Sequence, residues 1–487
     1  TAVCTVMVQS PDDGSQGGEE GGSEGNGDDS DNSKTPQEST DADSSGQGES
    51  SQDNTDGSDG KNPQAGKRPD NAKTDIPTIH EAEPVKTDKD GNVAVESESI
   101  AAAIRQARQD AQKNKKAGNG VGVILPITTA EGQSSFGVTM KSQTLDTLVK
   151  EEVRWFEVHI NENFSVCLDR DSMKWLDTSA GGGDIILRMS ADLPDGLTRE
   201  VRNMIGDHPV LSLKLVYVSG GKETPVEDMG GHGISVRIKY TQKPDERTGN
   251  LQALFVDKDG KVKWLTRSGY NSGRKEMIFI AETLGLYAIG YKNPVPSFTD
   301  IKGRPDEEYI LFAASRGLLT GTGNKKFSPD AGLTRAMLAA ALGRLAEINP
   351  ADYKNGKFQD VPIKASYAVY ANWAAGKGIM NPSTEITFQP EESITREQMA
   401  LIMKTFADRM GYTVPRILEP ADFADSGKIS PWAQEAVQAM QQAGILTDKE
   451  SDLFRPQEIV TRAEAATVLY CFIDAIIDLQ PVNGWKR

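Results

Sequence analysis

A chain of 487 residues carrying 71 acidic and 54 basic side chains, net charge −17, has length for about three domains. It lacks the basic excess needed to neutralise phosphates, which excludes a nucleic-acid binder and argues against adhesion to anionic lipid. Cys4, Cys167 and Cys471 are odd in number and widely spaced, so they build neither a disulfide framework nor a metal-ligand pattern. The four histidines, His80, His159, His208 and His232, are equally scattered and read as surface or edge residues. No apolar run approaches the ~18–20 residues of a membrane span. Neither a metal nor a cofactor is expected.

In chain order, Thr1 to Val8 alternate small or polar with β-branched residues, like a last strand whose domain lies upstream. No signal peptide is evident, and residue 1 is Thr. This strand resembles the end of a bacterial immunoglobulin-like repeat. Residues 9–75 are almost all Gly, Ser, Asp, Glu, Asn, Gln, Thr and Pro. Residues 1–90 hold 21 acidic and 7 basic side chains. So polar a segment cannot offset its ordering entropy and is expected to be a disordered, self-repelling spacer. Its best calcium-loop start, Asp41-x-Asp43-x-Ser45-Gly46, meets Gln52 at the position that needs a bidentate Glu, so a calcium site is not expected.

Residues 76–292 read as globular. Ile100, Ala103, Ile104, Ala107 and Ala111 repeat with helical spacing, with Lys115 and Lys116 after them, and predict an amphipathic helix from Ser99 to Lys116. Strand-like runs follow at 121–127, 136–140, 155–160, 164–168, 185–189, 210–218, 234–240, 253–256, 262–265, 277–281 and 286–291. Alternation is clearest from Ile234 to Tyr240. Asp257-Lys258-Asp259-Gly260 predicts a hairpin turn. Short helices are expected at 144–149 and 198–205. The expectation is a β-rich, sandwich-like α+β region. It contains no nucleophile elbow, P-loop, zinc helix or dinucleotide fingerprint. The glycine clusters 181–183 and 230–233 read as loops. The carboxylate pairs Glu151-Glu152 and Asp169/Asp171 read as solvated faces.

From residue 295 the pattern changes to three copies of one unit. Phe298-Thr299-Asp300, Phe358-Gln359-Asp360 and Phe423-Ala424-Asp425 open them. A helix follows each and ends at Gly317, Gly378 or Gly444 before an aliphatic pair, as a left-handed C-cap requires. Then come Phe327-Ser328-Pro329, Phe388-Gln389-Pro390 and Phe454-Arg455-Pro456, and a Thr-Arg start at Thr334-Arg335, Thr395-Arg396 and Thr461-Arg462. The Thr-Arg starts lie 61 and 66 residues apart, the spacing of a supersecondary repeat. Each opens a second helix with an apolar stripe, and one such pair cannot bury its own apolar face.

Thr at the N-cap with Gln or Glu three residues on forms a capping box. Thr395/Gln398 and Thr461/Glu464 fit, whereas Thr334 meets Met337 and can make half of it. Arginine at the first helical position instead opposes the macrodipole, by about 0.3–1 kcal/mol. Two readings stand for Arg335, Arg396 and Arg462: an anion pocket beside free helix amides, or ion pairs between repeats with Asp300, Asp360 or Asp425.

This arrangement resembles the S-layer homology domain of bacterial surface proteins. The run from Gly249 through Thr266, with Tyr287-Ala288-Ile289-Gly290-Tyr291, resembles the β-rich region before such repeats in surface proteins of gut Firmicutes. Together these readings give a multidomain chain: 1–8, the end of an immunoglobulin-like domain; 9–75, the acidic linker; 76–292, a β-rich stalk; repeats at 295–349, 355–413 and 420–478; and a tail, 479–487. The resemblance implies an all-α, pseudo-threefold C-terminal unit. Grooves between its repeats would bind the secondary cell-wall polysaccharide of peptidoglycan, typically through a pyruvylated sugar. That makes the chain a Gram-positive, extracellular, wall-anchored protein rather than an enzyme. Arg335, Arg396 and Arg462 would meet the carboxylate. Asp300, Asp360, Asp425, Gly317, Gly378, Gly444 and Trp432 would shape the grooves. Tyr367 replaces Trp432 in repeat two, repeat one has no aromatic there, and Asn381 and Thr447 stand where repeat one has Gly321. Met337 makes the first copy the weakest candidate. A wall-localised enzyme or carbohydrate-binding module in 76–292, and self-assembly into a lattice, are the alternatives.

Overall fold

The computed structural model describes residues 76–478 except 294–295, 357, 422 and 447–451. The expected strand at 1–8, the acidic linker, Cys4, Thr447 and the tail 479–487 lie outside these residues. The described residues all belong to the second of the chain's two units, Lys61–Arg487.

In chain order the middle region runs β1 (Thr78–Glu81), β2 (Val85–Lys86), β3 (Asn92–Val95), α1 (Ser97–Lys113), β4 (Val121–Thr128), β5 (Ser135–Met140), α2 (Ser142–Lys150), β6 (Trp155–Ile160), β7 (Phe164–Asp169) and α3 (Arg170–Ala180). It continues with β8 (Asp184–Ser190), α4 (Arg199–Ile205), β9 (Val210–Ser219), β10 (Lys222–Pro225), β11 (Ile234–Lys239), β12 (Leu251–Val256), β13 (Val262–Trp264), β14 (Ser268–Asn271), β15 (Glu276–Ala281) and β16 (Gly285–Tyr291). Two eight-stranded sheets result. One has the order β1-β4-β6-β7-β11-β15-β14, with β2 also on β4; the other has the order β13-β12-β16-β9-β8-β5-β3, with β10 on β9.

The sheets are mixed. β4 runs parallel to β1, β2 and β6, and β3 runs parallel to β5. Alternation along each strand sends one set of side chains inward. Val123 and Leu125 of β4, Val138 and Met140 of β5, and Ile100 and Ile104 of α1 meet in a single apolar core. The five apolar residues that predicted α1 are its five buried ones. The hairpin turn is also as expected: the Asp257 carboxylate accepts from the amides of Asp259 and Lys261, and β12 pairs antiparallel with β13.

The sequence did not predict α3. Asp169, read as part of a solvated carboxylate pair, is its N-cap and accepts from the Ser172 amide at 2.7 Å. Two histidines depart from the surface reading. His208 is buried against Glu246 at 2.7 Å, and His159 is nearly buried against Glu157 at 2.5 Å.

The C-terminal part contains six α-helices among its described residues: α5 (Glu307–Ser315), α6 (Arg335–Leu345), α7 (Ala368–Gly376), α8 (Arg396–Met410), α9 (Gln434–Gln442) and α10 (Arg462–Ile477). They share one core that includes Phe312, Leu342, Trp373, Phe406, Val437 and Phe472. That core does not stop at the helices, because Ile278 on the outer face of β15 belongs to it. No described helix is long and apolar enough to cross a membrane.

The sheet and the helices meet through buried polar groups. Arg237 on β11 binds Glu157 of β6 at 3.0 Å and Asp478, just past α10, at 2.9 Å. The Ser235 hydroxyl donates to the Ile477 carbonyl at 3.2 Å. Arg316, at the end of α5, donates to the carbonyls of Gly249, Leu251 and Ser268 at 2.9–3.0 Å. The region expected to be a stalk is therefore packed directly against the repeats.

Candidate functional site: the interfaces between repeats

The residues before the three Thr-Arg starts meet at one point. The Leu333 amide donates to the Val460 carbonyl at 2.8 Å, Ile394 to Leu333 at 3.0 Å, and Val460 to Ile394 at 2.9 Å. These three hydrogen bonds form a closed ring, and Leu333, Ile394 and Val460 are fully buried within it.

The ring sets the fate of the helix amides. Arg335 and Ala336 donate to Glu392 and Pro390; Arg396 and Glu397 to Glu458 and Pro456; Arg462 and Ala463 to Ala331 and Pro329. The third amide of each helix goes to its own N-cap Thr at 3.2–3.4 Å. Helix starts normally leave such amides unsatisfied. Here each start is capped by the Phe-x-Pro loop of the next repeat, cyclically. The anion pocket built on free amides is thereby overturned, because those amides are occupied. The capping boxes at Thr395 and Thr461 are complete, and Thr334 makes the expected half.

The arginines cross the same interfaces. Arg335 Nε donates to the Phe388 carbonyl at 2.9 Å, Arg396 Nε to Phe454 at 2.7 Å, and Arg462 Nε to Phe327 at 2.9 Å. Each guanidinium lies over the ring of that same phenylalanine, with 4.9, 5.0 and 4.5 Å to the centroid, a cation–π geometry. Arg335 Nη2 and Arg462 Nη2 add the carbonyls of Asn381 and Thr320. This pairing aligns Asn381 with Thr320 rather than with Gly321. Burial lowers the pKa of all three arginines, and nearby carboxylates partly offset that effect.

Among the described residues the ion pairs found do not join these arginines to Asp300, Asp360 or Asp425; each Asp works within its own repeat. Asp300 accepts from the amides of Phe327 and Ser328, Asp360 from Phe388 and Gln389, and Asp425 from Phe454 and Arg455. The middle residue of each Phe-x-Pro has positive φ, 58° at Ser328 and 57° at Gln389 and Arg455. A non-glycine residue there carries roughly 1–2 kcal/mol of strain, and the carboxylate offsets it by holding both amides. Burial alone would raise the Asp300 pKa, but the backbone amides of Phe327 and Ser328, with its own amide and the Lys326 charge, together lower it. Each phenylalanine therefore receives Asp on its amide and the neighbouring repeat's Arg on its carbonyl. No single motif could have revealed that relay, because it links three separate stretches.

The glycines are explained locally. Gly317, Gly378 and Gly444 have φ of 68°, 64° and 70° and end the first helices as C-caps. Among the described residues, no hydrogen bond links them to the interface arginines. Trp432 is 51% exposed. It lies two residues past Ser430, whose amide and hydroxyl bind the buried carboxylate of Glu397, each at 2.9 Å. Glu397, which also accepts from Gln457 at 2.6 Å, is a groove residue that the sequence reading missed. Counted from Asp300 as Trp432 is from Asp425, the first repeat has Glu307, the first residue of α5, which is engaged by Arg247 of the middle region.

Three helix pairs closed into a ring, each holding the next by an arginine, define a modular repeat unit. It is a set of three S-layer homology domains: residues 297–337, 357–400 and 422–466 match that family. The chain is 31% identical over 234 residues to an exoglucanase, XynX, of Acetivibrio thermocellus (46% of this chain, 21% of the relative). It is 27% identical over 317 residues to an amylopullulanase of Thermoanaerobacterium thermosulfurigenes (61% and 17%). It is 27% identical over 166 residues to a cellulosome-anchoring protein of A. thermocellus (32% and 35%). The chain spans about a fifth of the length of the first two.

Proposed function

We propose that this chain is an extracellular surface protein of a Gram-positive bacterium, held to the cell wall without a covalent bond. Its repeats bind a secondary cell-wall polysaccharide in the grooves between them. The supporting observation is the cyclic interface, in which each groove combines an arginine over a phenylalanine with polar groups of two repeats. An aromatic side chain, Trp432 or Tyr367, stands beside two of the three grooves. Such a mixture of cation and aromatic surface suits an acidic sugar. The cellulosome-anchoring relative supports the same reading.

The test is sedimentation of the full chain with purified wall sacculi. It should pellet with intact sacculi and stay in solution with sacculi stripped of their secondary polymer. Equal pelleting with both would overturn the proposal.

A second reading is favoured by one observation: the 317-residue match to the amylopullulanase is longer than the 170 residues from the first repeat match to the last. A carbohydrate-active module in 76–292 would then be localised by the repeats. Failure of the full chain to release reducing sugar from α- and β-glucans would dispose of it.

A further inference from the structure

We infer that His208 is a proton-operated lock: as an imidazolium it pins the strap by which the middle region grips the first repeat, and as a neutral ring it lets that strap loosen. This reaches beyond wall attachment, to how the two parts of the chain are kept together.

The strap is the segment 240–250 between β11 and β12. Its Arg247 guanidinium pairs with Glu307 and, at 3.3 Å, with Glu308, both in the first turn of α5. The Gly249 amide donates to Glu308 at 3.0 Å. The Gly249 carbonyl accepts from the Ser315 hydroxyl at 2.8 Å and from Arg316 Nη1 at 3.0 Å. Gly249 approaches α5 so closely that a Cβ there would stand 2.6 Å from the Phe312 amide nitrogen.

One buried carboxylate pins this strap from behind. One oxygen of Glu246 accepts from the Tyr240 hydroxyl at 2.6 Å and the Lys243 amide at 2.9 Å; the other faces His208 Nε2 at 2.7 Å. The second ring nitrogen, Nδ1, lies 2.6 Å from the Ile205 carbonyl at the end of α4. A carbonyl and an ionised carboxylate can only accept, and a neutral imidazole has a single N–H to give. Both contacts are therefore satisfied together when both ring nitrogens carry a proton. Glu246 is held in its ionised form: burial alone would raise its pKa, but Tyr240, the Lys243 amide and His208 together lower it.

The other titratable groups around the pair are already engaged. The Lys243 ammonium is bound by Asp207, and Asp245 acts on that ammonium through space. Burial and the Glu246 carboxylate raise the Tyr240 pKa, which keeps its hydroxyl a neutral donor. Tyr270 of β14 donates to the Tyr240 carbonyl at 2.9 Å. The His208 and Glu246 side chains are 7% and 5% exposed, so a proton lost from His208 leaves a lone pair facing an oxygen with little water to relieve it. The lock holds while His208 is doubly protonated and opens as pH rises and the proton leaves.

The experiment follows amide hydrogen exchange of the full chain, corrected for the intrinsic rate, at about pH 6 and about pH 9. Between the two, protection of α5 should fall about 10- to 100-fold relative to α8, the size of one lost charge-assisted hydrogen bond. His208→Gln, uncharged at every pH, should show the loosened α5 at both. Nitrogen NMR of the wild-type imidazole ring reads the lock without any variant: both His208 nitrogens should carry a proton at about pH 6. A ring with a single proton there would overturn the inference. So would wild-type α5 protection that stays parallel to that of α8, or a pH-dependent loosening that persists in His208→Gln.

Discussion

Asp478 closes on Arg237, with 2.9 Å between Oδ1 and Nη2, and so joins the residue just past the last helix to the middle of a β-sheet. Both side chains are buried, and Arg274 binds the second oxygen of Asp478. Removing one partner of a buried pair leaves an uncompensated charge and costs about 3–5 kcal/mol. Because Glu157 still faces Arg237, Asp478→Asn should fall near the lower end, about 3 kcal/mol, in denaturant unfolding at pH 7.

The same carboxyl sets an acid limb. Burial alone would raise its pKa, but Arg237 and Arg274 outweigh burial and lower it. A depressed folded value gives stability that is present above the ordinary Asp value of about 4 and lost as pH falls through the folded one. Wild type should therefore lose more stability than Asp478→Asn between neutral pH and about pH 2. Parallel acid-unfolding curves for the two proteins would contradict this.

Arg316 is the second clasp. It is buried with no carboxylate among its hydrogen-bond partners in the described residues, and burial pushes it down to about 9, still a cation at neutral pH. Its planar fork reaches three carbonyls of the middle region while it lies over Phe312, 3.5 Å from the ring centroid. A lysine ammonium cannot span those acceptors. Arg316→Lys should lose about 2–4 kcal/mol. Calorimetry should then show the middle region and the repeats unfolding in two steps rather than one.

Met337 is the weak copy of the cap, and replacing it should help. Met337→Glu would complete the box at Thr334 and give Arg462 the carboxylate that Glu464 gives Arg396. A gain of about 0.5–1.5 kcal/mol in denaturant unfolding is expected.

Gly343, in the interior of α6, separates helix propensity from packing. Alanine would gain about 1 kcal/mol as a helix former. Its Cβ, however, would lie 2.4 Å from Cδ1 of Tyr370 on α7, against the body of the ring. Overpacking costs about 1–3 kcal/mol, so Gly343→Ala should destabilise despite its better propensity, and Gly343→Ala with Tyr370→Leu should recover much of the loss.

The parts of this structure that depend on nearest neighbours were readable. Period-two runs placed β6 to the residue, because its inward and outward side chains differ in kind. The αL glycines and N-cap threonines follow from local backbone chemistry, and the family resemblance of residues 297–466 follows from their repetition. What escaped was whatever depends on a distant chain segment. β1 and β3 are short edge strands whose partners run parallel and lie beyond a helix. Arg316 looked like an ordinary residue at a helix end, yet its partners lie 48 to 67 residues upstream. The arginines stand out in the sequence because a cation at a helix start opposes the macrodipole. Their acceptors were backbone carbonyls, which every sequence contains and none advertises.

The ring at Leu333, Ile394 and Val460 also limits how such a protein can vary. An open solenoid grows by inserting a copy anywhere and needs special end units. A closed ring has no end unit and no place for a fourth member. Deleting one copy would leave an amide and a carbonyl facing across a gap. Variation in length belongs outside the ring, or comes in whole sets of three. Because the last repeat donates to the first as well as to the second, a chain nicked by a protease between repeats would stay together as one particle.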